Sequence, residues 1–472
     1  MTAPHLTGTG PGPGTPRPAP PAPPAPGAGS GGGGTAPRAS WLIAATVLCV
    51  AIPPGTASSA DGVQATVSDL ASVGLVAVAA ALAVTGRTRP SGTAMALLGA
   101  VACAAALSTA CSPHPLDSLP GYLRVLQIFV LVPLAVTLLV RDRRDFAVTA
   151  AAVAVVGVGE AGYGIWQAAT GTGASYAGRD VRAVGTFGAT DVMGMATVAG
   201  FAAFVVVAVA LLARGAARVA AWAVLGVLAA GLLLSLSRGS WIAVGIGVLT
   251  IMVCVSLRLA LRTVLLVTAA LIIVVGGLGV GSATLAERAR SVVASVDQPD
   301  QSVSDRYGLW QSAVAIWQDR PLTGVGVKNF AGYRDAHSSL AVSFAGETAD
   351  PVHGYQRQPL LSPHNQYLLV LAEQGVVGVT ALLGLLVGLA SALGARPRPD
   401  DPRWLVGAGF TVSIMVNFLY SDLGGPTSVL FAVMLGLAVN AAFHTFAPDR
   451  TPRRPPRLAP AGGPGPIPRP RR

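Results

Sequence analysis

Twelve apolar runs, each close to the roughly 20 residues that a bilayer-spanning helix needs, make up most of this chain and leave it one fold class. They lie at about 39–56, 66–85, 92–111, 121–140, 146–168, 190–213, 217–237, 239–257, 262–281, 363–393, 404–420 and 426–446. Inside hydrocarbon the backbone finds no water to bond. Uninterrupted runs of this length therefore read as helices, whose hydrogen bonds close within the segment. The first run is the weakest, because Pro53-Pro54 cuts it short. The expected fold is an all-α polytopic membrane protein with about twelve transmembrane helices.

Charge decides between this reading and its rivals. Only 11% of residues are charged, well below the roughly 25% of a soluble domain. The net charge of +11 could suggest a nucleic-acid partner, but the basic residues sit in short clusters between apolar runs and in the C-terminal tail. With a single lysine, Lys328, the positive charge is almost all arginine, which reads as coding bias. No nucleic acid is expected. The four cysteines lie in or beside apolar runs without metal-ligand spacing, so neither a disulfide framework nor a zinc site is implied. A P-loop, a dinucleotide-binding glycine pattern and a serine-hydrolase elbow are all missing from the sequence.

The connections orient the helices. With the N-terminus inside, the inner loops carry Arg87/Arg89, Arg141/Arg143/Arg144, Arg214/Arg218, Arg258/Arg262 and Arg396/Arg398/Arg403, and most of the chain's 32 basic residues lie inside. The short connections 112–120 and 421–425 have none, as the positive-inside rule requires. The chain then divides into a disordered Pro/Gly-rich arm (1–38), helices one to nine (39–281), an extracytoplasmic loop (282–362), helices ten to twelve (363–446) and a disordered Pro/Arg-rich tail (447–472). Both termini are expected in the cytoplasm, with the protein in the plasma membrane.

Candidate functional groups gather on the outer side, mostly in the interval from about Ser282 to Ser362. Ser304-Asp305-Arg306 is expected to open an amphipathic helix with Trp310, Ala313, Val314 and Trp317 on one face, ended by Pro321-Leu322-Thr323-Gly324-Val325-Gly326. Ser362-Pro363-His364-Asn365 reads as a helix start, with Ser362 as N-cap and Pro363 at the first helical position. Such a terminus offers unpaired N–H groups to an anion such as a pyrophosphate. Gly375 is expected to bend the helix that follows.

Each candidate has a bland alternative. Arg238 interrupts an apolar stretch, where a snorkelling interfacial arginine is the ordinary reading, yet an outer loop is where the charge rule disfavours arginine. Arg306 could be a solvated residue or a cation–π partner of Trp310. Most lone histidines are surface or packing residues. His364 differs by its place at a helix start above the membrane, and imidazole is suited to taking a proton from a hydroxyl. Asn365, Arg182, Asp191, Glu160 and Asp422 could line a polar pocket or merely cap helices.

In order and spacing, Ser237-Arg238-Gly239, Arg306-Tyr307-Gly308-Leu309-Trp310, the Pro321–Gly326 segment, Pro363-His364-Asn365 and Glu373-Gln374-Gly375-Val376-Val377-Gly378 resemble the O-antigen ligase/O-antigen polymerase superfamily. The Gly185-Thr186-Phe187 stretch resembles that family's segment before a span, with Asp191 where an asparagine is usual. The resemblance covers about residues 180–390 by motif. It implies a C-type glycosyltransferase that moves a glycan from a polyprenyl-diphosphate carrier to an acceptor on the extracytoplasmic face. The acceptor would be a glycan, lipid or protein. Inversion at the sugar and independence of metal and cofactor are also implied, with Arg238, Arg306 and His364 as catalytic residues. An arginine- and proline-rich chain resembles proteins of high-GC actinobacteria, which lack lipopolysaccharide. Exopolysaccharide or cell-wall glycan assembly is therefore the expected setting. The rival class is a transporter for a small anion or other solute, for which Glu160 within the fifth run is the main argument.

Overall fold

A computed structural model describes residues 38–52, 66–85, 90–174, 182–188, 191, 193–273, 301–338, 347–350, 354–357 and 360–444. The N-terminal arm, the start of the large loop and the C-terminal tail lie outside the described residues. A helix falls on every one of the twelve apolar runs: α1 Ser40–Leu48, α2 Val67–Val84, α3 Gly92–Ala110, α4 Pro115–Leu139, α5 Arg143–Thr170, α6 Gly194–Leu212, α7 Ala216–Leu234, α8 Arg238–Val255, α9 Leu257–Ile272, then α12 Gln366–Ala395, α13 Pro402–Asn417 and α14 Thr427–Phe443. Between them lie two loop helices, α10 Gln301–Asp319 and α11 Phe330–His337, and a hairpin of β1 Glu347–Asp350 with β2 Gly354–Arg357. Among the described residues, eight helices are long and apolar enough to cross a membrane. The protein is an all-α polytopic membrane protein.

The bundle closes around α6, which packs against α5, α7, α8 and α13. In α6 78% of the most apolar stretch is buried, against 17% in α7 at the rim. Lipid tails are as apolar as leucine, so helices associate in a membrane through close packing and small residues. Gly157 against Ala202 and Gly247 against Gly409 bring the backbones together in this way. Phe201, Phe410 and Phe431 lock the centre edge to face and at a tilt, with centroids 5.4 and 5.7 Å apart.

At one end of the bundle the connections touch one another. The Ser237 hydroxyl meets Met193 Sδ at 3.1 Å, Thr186 Oγ1 lies 3.0 Å from Ala51 O, and Arg124 donates to Gly425 O at 3.0 Å. At the opposite end Arg143, Arg398 and Arg403 converge.

The loop between α9 and α12 is anchored through a broken helix. Gly375 has φ 63° and ψ −162° inside α12, and the Pro321–Gly326 segment pairs with the break along its backbone. Val325 N donates to Ala372 O and Gly326 N to Glu373 O, while Val376 N donates to Pro321 O and Val377 N to Leu322 O. The carbonyls and amides freed by the break thus find partners in the loop. A Cβ at Gly375 would stand 2.3 Å from Leu322 O, and one at Gly324 2.3 Å from the Glu373 carbonyl carbon. The bend expected at Gly375 is therefore a docking joint.

Two local expectations are corrected. The loop helix already includes Gln301, ahead of Ser304, and its buried face is Leu309, Ala313 and Ile316. Trp310 and Trp317 flank that face because their indole N–H groups donate to Pro363 O and Pro321 O. Helix α12 starts at Gln366, with Asn365 as its N-cap in place of Ser362. The Asn365 side chain accepts from Leu368 N at 3.0 Å and donates to Leu419 O at 2.9 Å. A cap serving two elements at once wins over one serving the helix alone.

Candidate active site

The helix correction removes one expected feature. Gln366 N donates to Phe418 O and Ser421 O, and Leu368 N is taken by Asn365. Gln366 N holds the 418–423 turn, Leu368 N is spent on the cap, and neither is offered to a pyrophosphate. Gln366 adds a third clamp, its Oε1 accepting from Leu423 N at 2.9 Å. Asn365 is thereby a buried fastener between α12 and this turn.

The clamp sets His364 against Asp422. His364 Nδ1 lies 3.8 Å from Asp422 Oδ1, and the Ser362 hydroxyl also hydrogen-bonds that carboxylate. His364 sits at φ 50°, a left-handed backbone conformation that costs a non-glycine residue about 1 kcal/mol. Its side chain is 42% exposed while Asp422 is 16% exposed, so the imidazole faces outward from a sheltered acid. Burial alone would raise the Asp422 pKa. The nearby His364 imidazole and the Ser362 hydroxyl outweigh it, and the carboxyl is held below its ordinary value.

Arg306 arrives from α10. Trp310, one turn later, donates to Pro363 O at 2.9 Å and so ties the helix to the residue before His364. Burial lowers the Arg306 pKa and the nearby Arg182 charge lowers it further, while Asp422 opposes both. Arg182, Arg306 and Asp422 therefore share one electrostatic neighbourhood. Two guanidiniums held close enough to repel make a favourable place for a dianion.

Arg238 is the first residue of α8, exposed, after the Ser237 cap. A cation in the first turn works against the helix dipole, at about 0.3–1 kcal/mol, which argues for a purpose other than helix stability. Leu236, two residues before, takes φ 51° to make the reversal from α7. Gly239 packs on the Tyr420 ring, two residues from Asp422, and Ser237 touches Met193, two residues from Asp191. The start of α8 thus joins the same cluster.

Asp191 lies beside it with an unusual environment. Its Oδ2 is buried with no hydrogen-bond partner and faces the Gly425 backbone. Burial raises its pKa to about 6 against the backbone N–H groups of Gly194 and Met193, and the Asp422 charge pushes the same way.

Glu160 is placed differently from its expected part in a pocket lining. It is 2% exposed, and it accepts from Thr186 N at 2.8 Å and Thr186 Oγ1 at 2.7 Å. It braces the Gly185–Phe187 turn from below. Gly185 is bare because a Cβ there would stand 2.1 Å from Glu160 Oε2. Gln167 completes the brace, accepting from Val184 N and Gly185 N and donating to Gly185 O. Sequence reasoning missed Gln167, Gln366 and the indole of Trp310. The signal for Gln167 was an amide inside an apolar run, the same signal that singled out Glu160. Among the described residues no three His, Cys, Asp or Glu side chains gather as metal ligands.

Residues 223–383 match the family model described as O-antigen ligase, which bears out the superfamily resemblance carried by the motifs. A chain from a solved structure described as "Structural coordination of polymerization and crosslinking by a peptidoglycan synthase complex" is similar at 18% identity. That match covers 75% of this chain and 97% of that chain, with a TM-score of 0.40. No curated protein matches.

Proposed function

We propose, from the O-antigen ligase match over residues 223–383, that this protein transfers a glycan from a polyprenyl-diphosphate carrier to an acceptor hydroxyl at the extracytoplasmic face. The match supports a membrane glycosyltransferase-type role in glycan assembly. The finer reading rests on one observation: Asp422 lies 3.8 Å from the His364 imidazole and also acts electrostatically on Arg306, which in turn feels the charge of Arg182.

In this reading the acceptor oxygen attacks the anomeric carbon as the bond to the diphosphate breaks, giving inversion. The bonding pair leaves on the phosphate oxygen. Arg306, Arg238 and Arg182 take up the charge that grows there. His364 accepts the acceptor proton, and Asp422 orients the imidazole and stabilises its charged form. Exopolysaccharide or cell-wall glycan is the product class. The termini are cytoplasmic, because the arginine-bearing end of the bundle then faces inward. The transporter alternative relied on Glu160, whose two oxygens are both engaged by Thr186.

The test is the pool of polyprenyl-diphosphate-linked glycan in cells carrying His364→Ala at equal protein level. Accumulation of lipid-linked glycan with loss of surface product is expected, and product length separates a polymerase from a ligase. An unchanged pool and surface would sink the transferase reading.

A further inference from the structure

A cavity among the described residues lies at the end of the bundle away from His364. It has a volume of about 980 Å³ and opens at the arginine end, between α5, α6 and α7. Helix α5 runs from Arg143 at this cavity to Gln167 at the Gly185 turn. At 1.5 Å per residue that is about 36 Å of separation.

Its walls are short apolar side chains. Ala151 and Ala154 of α5, Val206 and Val209 of α6, and Ala217 and Ala220 of α7 line it. Alanine at these positions leaves a hollow where leucines would interlock, and among the described residues no apolar side chain fills it. A void of this size is costly to leave empty and has too few polar partners for water. Helix α7, one of its walls, is the helix with 17% of its apolar stretch buried, so the groove opens on the surface that faces hydrocarbon.

The mouth is charged. Arg143, Arg398 and Arg403 line it with Asp400 and Asp401; Asp401 is paired with Arg403 at 2.7 Å, and Arg143 and Arg398 both act electrostatically on Arg403. Arg143 and Arg398 come from different elements, the start of α5 and the α12–α13 connection, so the groove itself brings them together. Guanidinium binds phosphate oxygens in bidentate fashion, and basic mouths between helices suit anionic headgroups. The C-terminal tail carries seven further arginines from Arg450 to Arg472 and is a poor occupant for a basic mouth.

We propose that this groove is a binding site for one anionic phospholipid, with an acyl chain along the alanine wall and the phosphate on Arg143 and Arg398. The site is separate from the transfer site and stands whether or not that reading holds.

The experiment is native mass spectrometry of the full chain released from nanodiscs of mixed phosphatidylglycerol and phosphatidylcholine. Wild type should retain one phosphatidylglycerol in preference to phosphatidylcholine. Arg143→Gln with Arg398→Gln should lower that retention about 10-fold, while Arg258→Gln with Arg262→Gln, outside the groove, should leave it unchanged. Should the first pair fail to fold, Ala151→Leu with Ala220→Leu, both at exposed positions, should lower retention to the same extent by filling the groove. Equal retention of the two lipids, equal loss in the control pair, or retention unaffected by the leucines would each overturn the proposal. A lipid-free dimer at every lipid ratio would assign the groove to a second copy instead.

Discussion

Trp310 donates its indole N–H to the carbonyl of Pro363 at 2.9 Å, and that bond ties the helix bearing Arg306 to the residue before His364. The bond joins the loop helix to the clamped start of α12, since Pro363 leads into the Asn365–Gln366 fastening. Trp310→Phe keeps the ring and removes the donor. A lost hydrogen bond of this kind is worth about 1 kcal/mol, so glycan transfer is expected to fall about 5- to 10-fold with little change in expression. A loss of transfer equal to that of Arg306→Ala would show that Trp310 does more than position.

Asp422 should be needed as a charge. Its carboxyl is held below the ordinary value of 3.8 by His364 and Ser362 against the effect of burial. A depressed carboxylate pKa contributes stability that is present above the unfolded value and lost as pH falls through the folded one. Activity should therefore be indifferent to this group across neutral pH. Asp422→Asn keeps the shape and removes the charge, and transfer should drop about 100-fold, comparable to loss of a general base. The check is turnover against pH for both proteins. Near-normal turnover in Asp422→Asn would remove the dyad.

Asp191 should behave in the opposite sense. Its folded pKa is raised from 3.8 to about 6, so the folded state gains from its protonation below pH 4 and loses that gain as pH rises through 6. A shift of about two units corresponds to roughly 3 kcal/mol borne at neutral pH. Asp191→Asn still offers one oxygen to the Met193 and Gly194 N–H groups and turns an amide toward the Asp422 charge. Thermal unfolding at pH 7.5 should show the variant more stable than wild type, with the gap roughly halved at pH 5 and closing only below pH 4. A gap that widens on acidification contradicts the assignment.

The helices were legible because each apolar run is long enough to admit one solution, and the connections could be ordered by their arginines alone. Boundaries inside polar segments were not. Ser362 and Asn365 are both good caps, and the choice fell to Asn365 through the carbonyls of Leu419, Phe418 and Ser421, partners that are remote in sequence. The same remoteness hid the His364–Asp422 contact and the Trp310–Pro363 bond. Glu160 was conspicuous as an acid in an apolar run, but burial costs apply equally to a ligand and to a brace, and only Thr186 distinguishes them.

That distinction is testable. If Glu160 only braces the Gly185 turn, Glu160→Gln retains an acceptor for Thr186 N and should keep a large part of transfer activity. Thr186→Val, which removes the hydroxyl that Glu160 holds and leaves the acid buried, should lower stability by about 1–3 kcal/mol. The measurement is activity beside thermal midpoint for both variants. Abolished transfer in Glu160→Gln at wild-type stability would return Glu160 to the chemistry.

The joint between the Pro321–Gly326 segment and α12 makes the sharpest structural prediction, because the chain carries its own control. Gly375→Ala places a Cβ 2.3 Å from a backbone oxygen, where no flexible side chain can yield, at a positive φ that alanine resists. Gly384 lies in the same helix with nothing within 4 Å, and alanine there should be neutral or slightly stabilising. Gly375→Ala should lose several kcal/mol, read as loss of folded protein in detergent, or as a low thermal midpoint. Gly324→Ala meets the same joint from the loop side and should fail in the same way. Because Val325 and Gly326 hold the C-terminal end of α10 to α12, the joint also sets how far Arg306 stands from His364. A suppressed variant that folds but transfers poorly would fit that second role. Normal stability and transfer in Gly375→Ala would mean that the loop does not dock in the broken helix at all.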